Sequence, residues 1–174
     1  AVGEVLNLLV ELEIRGDSVI ETDEEKAMVQ KIIDYLVTLE YWHDPDNGIW
    51  EEAMEVHASS IGSCVAALKK AKLLSWLSVS DDAIALGEQA LRKMLPRESH
   101  SKFADLALLT LIYPFAVTTE EETLKILSNV EYHLTRDKGV IRYKLDRYYN
   151  NNEDGFSEEA EWCFGLAWLA IIYA

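Results

Sequence analysis

Three consecutive side chains, Trp50, Glu51 and Glu52, carry the most pointed chemistry in this chain. They lie in the stretch from Tyr41 to Ser60, YWHDPDNGIWEEAMEVHASS, which also holds Asp44, Asp46 and Glu55. A carboxyl group beside an indole and near other carboxylates is disfavoured in its ionised form by both desolvation and like charge. Such an acid can give up a proton, and an indole offers an apolar face to a pyranose. Sugar-cleaving sites need both. The same residues also read as a solvated acidic turn pinned by a buried tryptophan, and their types alone leave that alternative open.

Pro45 bars a preceding helix from continuing, and Asn47-Gly48 is a dipeptide that readily turns. The flanking sequence has helical period. Val5, Leu8, Leu9 and Leu12 mark a helix over residues 3–15, closed by Arg15-Gly16-Asp17. Thr22-x-x-Glu25 is a capping box ahead of Met28, Val29, Ile32, Ile33, Leu36 and Val37, predicting a helix to Glu40. Ile61, Cys64, Val65, Leu68 and Ala71 mark a third helix continuing towards Trp76. Ser80 caps a fourth, with Ile84, Gly87, Leu91 and Met94 inward. Phe103 to Tyr113 reads as one buried helix between Pro96 and Pro114. Thr119-x-x-Glu122 is a second capping box, for a helix to Leu134. After the irregular stretch from Arg136 to Gly155, Ser157 is expected to cap a last helix with Glu158, Glu159 and Glu161 in its first turns. Val140 to Tyr143 is the one stretch that reads as extended. The expectation is an all-α chain of about seven helices, stacked as hairpins, with residues 1–174 in a single partial domain.

The chain of 174 residues has 31 Asp and Glu against 16 Lys and Arg, a formal net charge of −15. That excess repels phosphate backbones and anionic lipid, so neither nucleic acid nor membrane is an expected partner. The apolar run from Leu166 to Ala174 is far short of a membrane span. Cys64 and Cys163 fall on helix faces among apolar neighbours and are expected as buried free thiols in a reducing, cytoplasmic compartment. Neither has a Cys or His at ligand spacing, and no metal or cofactor is expected. The apolar ending, without C-cap or polar tail, predicts a piece of a longer chain cut at both ends.

Two segments resemble a known family. WHDPDNGIWEE resembles the W-x-x-PD-x-GIWE signature of glycoside hydrolase family 15, the glucoamylase and glucodextranase family. TRDKGVIRYKLDRYYNN resembles its second landmark, GV-x-RY-x-x-D-x-YY. The segments EVHASSIGSCVAALKKAKLL, MLPRESHSKFADLALLTLIYPFAV and EAEWCFGLAW are similar to parts of the phosphorylase kinase α and β subunits, which carry a domain related to that family. The resemblance implies an (α/α)6 toroid whose loops at one end form a sugar pocket, with this chain supplying about half the ring.

By the match to GIWE, Glu51 is implied as the general acid and Glu52 as its assistant, with Trp50 flanking the acid. Arg142 and Asp146 align with positions that hydrogen-bond the sugar nearest the scissile bond, and Trp162 with an aromatic lining the pocket. An internal loop salt bridge is the other reading of Arg142 and Asp146. Tyr148 and Tyr149 read as sugar platforms or as packing beneath the loop, and His57 as a capping or core residue; for His43 either reading is open. The family inverts configuration with two carboxylates roughly 6.5–9.5 Å apart. The second comes from a downstream glutamate that this chain does not reach, and the N-terminal loops with their arginine-aspartate pair are also absent. The implied function is therefore inverting hydrolysis of an α-glucan or oligosaccharide by the full-length protein, with these 174 residues inactive alone. The alternative is a glucan-binding regulatory domain like that of the kinase subunits. A half ring leaves apolar faces open, which predicts self-association.

Overall fold

The computed structural model describes residues 2–146, 148 and 159–174. These form seven α-helices and one 3-10 turn, with isolated β-bridges and no extended ladder among the described residues. Residues 1–94 and 95–174 make two compact units.

The first unit holds α1 (Val2–Arg15), α2 (Asp23–Thr38), α3 (Ala58–Ala71) and α4 (Asp81–Met94). Helix α1 stops at Gly16, whose φ of 88° needs no Cβ, while Asp17 N donates to Leu12 O and Gly16 N to Glu13 O. That is the Schellman arrangement. Glu13 then accepts from the amides of Val19 and Ile20, fixing the exit. The capping box of α2 forms as its sequence predicts, with Glu25 N on Thr22 Oγ1 and Thr22 N on Glu25 Oε2. The Thr22 amide holds the Glu25 carboxyl below its ordinary value. This support is present above the ordinary carboxylate range and is lost as pH falls through the lowered value.

Helix α3 buries 11 of its 14 residues, and so has almost no face left for water. Small side chains make that possible. Gly3 of α1 sits so close to Ser63 and Cys64 that a Cβ would collide with Cys64 N at 2.8 Å. Farther along, Glu11 Oε2 meets Lys70 Nζ at 2.7 Å, so α1 and α3 run parallel. Helix α4 crosses back antiparallel, with Gly87 against Val65 and Lys72 paired with Asp81. Tyr41 locks this layer by donating to Ala83 O at 3.0 Å, and burial pushes its hydroxyl pKa up.

The second unit holds the 3-10 turn (Leu106–Leu108), α5 (Leu109–Ile112), α6 (Glu120–Leu134) and α7 (Cys163–Tyr173). The Thr119 capping box opens α6 as expected. The single helix expected from Phe103 to Tyr113 is not formed. Asp105 pairs with Tyr143 across an antiparallel bridge, and Leu106 N donates to Arg142 O at 2.7 Å. That pairing holds the chain extended up to Asp105, whose carboxylate then caps the 3-10 turn through Ala107 N at 2.7 Å.

The last helix also starts later than expected. Ser157 and Glu158 lie outside the described residues, while Glu159 and Glu161 precede α7 rather than sit in its first turns. Trp162 and Val140 exchange amide bonds of 2.9 and 3.2 Å, which keeps the approach to α7 extended. The glutamates serve the facing loop instead: Glu161 accepts from Lys138 N at 2.6 Å, and Glu159 from Leu145 N. Val140 and Tyr143 thus take the extended form read from their sequence, as isolated bridges.

Both cysteines are free, but only Cys64 is buried; Cys163, at the first turn of α7, is exposed. An almost wholly apolar helix has apolar residues on its open side as well, so its neighbours did not signal burial for Cys163. Burial pushes the Cys64 thiol up to about 12. The thiolate is the nucleophile, so at pH 8 Cys64 stays protonated and slow. Brief iodoacetamide treatment of native protein should label Cys163 and spare Cys64, as read by peptide mass spectrometry; labelling both at one rate would contradict this.

Candidate functional site

The expected site residues fall in two places. Trp50, Glu51 and Glu52 lie on the first unit's loop between α2 and α3. Asp46 and Glu55 bridge its two ends, each amide donating to the other's carbonyl at 2.9 Å. Glu51 sits at φ 53°, in the left-handed region that a side chain enters at a cost. Glu51 and Glu52 are exposed, and Trp50 is half-buried. Beneath this loop, between the α1 N-terminus, the end of α2 and the start of α3, is a cleft of about 560 Å³. Glu51, Asp44 and Asp46 line it together with Tyr35, Ser59 and Ser60. Carboxylates and hydroxyls around an aromatic wall suit a neutral, hydroxyl-rich ligand. His43 stands outside that lining, half paired to Glu40 at 3.1 Å and open to water.

Arg142, Asp146, Tyr148 and Trp162 come together in the second unit. Arg142 Nε and Nη2 grip Asp146 Oδ2 and Oδ1 at 2.7 and 2.8 Å, a bidentate pair in which Asp146 is 1% exposed. Asp146 Oδ1 also accepts from Tyr148 N at 2.9 Å. The Arg142 guanidinium lies 4.8 Å from the Tyr148 ring centre, and Tyr148 stacks on Trp162 at 6.1 Å. The internal salt bridge is therefore formed. The aromatic sequence Tyr148–Trp162–Phe164 beside it offers a flat surface. Tyr149 lies outside the described residues.

Sequence reasoning passed over three charged groups in the same unit. Glu98 is 1% exposed, Asp105 is fully buried, and Lys102 Nζ sits 3.8 Å above the Tyr143 ring and 3.8 Å from Asp105 Oδ2. They come from PRESHSKFAD, whose last three residues fall within the buried helix expected from Phe103. Their residue types carried no signal of burial, since Glu, Lys and Asp are seldom buried unless a partner meets them.

Removing one partner of a buried pair strands the other charge, which costs about 3–5 kcal/mol, whereas replacing both with apolar groups costs far less. Arg142→Leu should lower the urea midpoint sharply, and Arg142→Leu with Asp146→Leu should recover most of the loss. Equal losses in the single and double variants would mean that the pair is not the buried unit described.

The pattern of glycosyl hydrolases family 15 matches residues 1–159. The chain is 33% identical to the probable phosphorylase b kinase regulatory subunit beta of Drosophila melanogaster, over 86% of this chain and 15% of that subunit. It is 30% identical to the probable regulatory subunit alpha of Caenorhabditis elegans, over 98% of this chain and 16% of that subunit. A solved structure titled "Glycosidase Wild Type" superposes with a TM-score of 0.75 at 20% identity, covering 98% of this chain and 47% of that one. The fold is the expected all-α one, part of an (α/α)6 toroid. This chain spans about half the length of that glycosidase and less than a fifth of either kinase subunit. With the family pattern running through both the Glu51 loop and the Arg142 segment, the chain belongs to glycosyl hydrolases family 15.

Proposed function

We propose that these residues form part of a domain that binds an α-glucan, and that in the whole protein they serve inverting hydrolysis with Glu51 as general acid. The observation that carries the reading is the placing of Glu51 on the rim of an acidic, hydroxyl-lined cleft, within a family match to glycosyl hydrolases. Glu52 follows it in the turn as the assisting carboxylate, and Trp50 supplies an indole beside it. Arg142 and Asp146, already locked to each other, present a preset guanidinium to a sugar, with Trp162 as an aromatic wall. The base that activates water lies outside residues 1–174 in this reading, so the chain alone binds without turnover. We place the protein in the cytoplasm, where the free Cys64 and Cys163 stay reduced.

A second reading has its own support. The kinase regulatory subunits are 33% and 30% identical to this chain, against 20% for the glycosidase. In that reading the cleft binds glucan without cleaving it. Comparing the full-length protein with its Glu51→Gln variant on maltooligosaccharides decides between them. General-acid catalysis contributes about 10²–10⁴-fold, so the hydrolytic reading expects a fall of that order in glucose release. Sugar binding by calorimetry with no release from either protein would establish the regulatory reading instead.

We also propose that the isolated chain self-associates. Val5 and Leu8 on α1, and Leu166 and Ile171 on α7, are each 44% exposed or more. Covering such faces gains about 25 cal/mol per Å². Sedimentation at micromolar concentration should show a dimer, and a monomer there would sink the idea.

A further inference from the structure

The loop that carries Glu51 has little apolar interior of its own; its residues from Glu51 to Met54 are all exposed. Its turn is built from backbone bonds: Glu51 N to Gly48 O at 3.2 Å and Glu52 N to Asn47 O at 3.0 Å. Asp46 Oδ1 adds a bond from Gly48 N. These bonds hold Glu51 in a left-handed conformation, so the turn depends on what it rests against.

It rests against His57. His57 is 3% exposed, and its Nε2 lies 3.3 Å from Ala53 O. Gly48, at φ 65°, lies flat on the ring: a Cβ there would come within 2.9 Å of both Cε1 and Nε2. His57 occupies the N-cap position of α3, yet its side chain makes no cap bond to that helix. The ring serves the loop instead. Its backbone does belong to α3, where His57 O accepts from Ile61 N at 3.1 Å.

We infer that His57 is a positioning residue: its ring, seated between Gly48 and Ala53, transmits the rigidity of the buried helix α3 to the turn and so fixes where Glu51 stands over the cleft. The consequence for catalysis rests on the reading of Glu51 as the acid; the clamping itself does not. Glu51 is then set by an imidazole that touches no substrate.

The test uses isotope-labelled protein of all 174 residues. A residue with positive φ gives a strong intraresidue HN–Hα NOE. His57→Ala should weaken that signal at Glu51 and speed hydrogen exchange of the Glu52 and Glu55 amides at least about tenfold, leaving the amides of Ile61 to Leu68 protected. His57→Gln places a side-chain amide near the Nε2 position and should restore much of the protection. Equal loss in the Gln and Ala variants, or no loss in either, overturns the inference. Should His57→Ala also loosen α3, Gly48→Ala carries the test from the loop side. The strain of a side chain at φ 65° is common to both backgrounds, so Gly48→Ala should disturb the same amides more in the wild-type protein than in His57→Gln; an equal effect in the two overturns the inference. None of these readouts needs turnover, so an inactive Glu51 leaves them standing, and their failure leaves the Glu51→Gln comparison untouched.

Discussion

The close approach of α1 to α3 is the constraint on which the first unit depends. Gly3 lets the two parallel helices meet backbone to side chain, and the small residues of α3 from Ala58 to Ala71 let it be covered almost all round. A helix covered in this way cannot shift without opening voids, and close-packed interiors resist that strongly. The outer helices α2 and α4 are arranged around it, by the α1–α2 hairpin and by Tyr41 on Ala83 O. The loop between α2 and α3 inherits a fixed base. An exposed carboxylate on that loop can therefore have a defined position.

The second unit is organised by different means. Its fixed points are backbone pairs, Val140 with Trp162 and Arg142 with Leu106, which join segments far apart in sequence. Around them collect charges that a helical core would not tolerate singly: Asp105, Asp146 and Arg142, each met by an opposite charge, a ring or an amide. Buried ion pairs contribute little net stability compared with apolar packing, but they fix geometry because breaking them is expensive. The segment from Arg136 to Asp146 is fixed both by the Arg142–Asp146 pair and by Val140 and Ile141, which are fully buried.

These two modes of construction suit the glucan binding proposed above. A sugar is recognised by rigid hydrogen-bonding groups set beside flat apolar surfaces, and both units supply such groups from loops held by buried elements. The chain is similar to both glycosidases and kinase regulatory subunits, and a shared fold does not by itself fix a shared activity.

Most helices were legible in the sequence, because their determinants are local. The capping boxes at Thr22 and Thr119, the Ser80 start and the Gly16 stop act over three or four residues, and the apolar period marks the helical stretches. On α1 that period marked the wrong face, since Val5 and Leu8 are exposed while Leu6, Asn7 and Val10 are buried. The Trp50–Glu52 triplet stood out by residue type, and its Glu51 lines the cleft beneath the loop. What the sequence left undecided were features set by distant partners. The short α5 and the late start of α7 follow from pairing with residues 140–143, which outweighs helix period by satisfying buried amides that period alone cannot see. The burial of Glu98 and Asp105, the locking of Arg142 onto Asp146, and the turning of His57 towards the Glu51 loop rather than its own helix have the same origin. Residue type and spacing determined which elements form, since those forces are short-ranged; only the packed tertiary structure decided which polar groups leave water, since that depends on what each one meets.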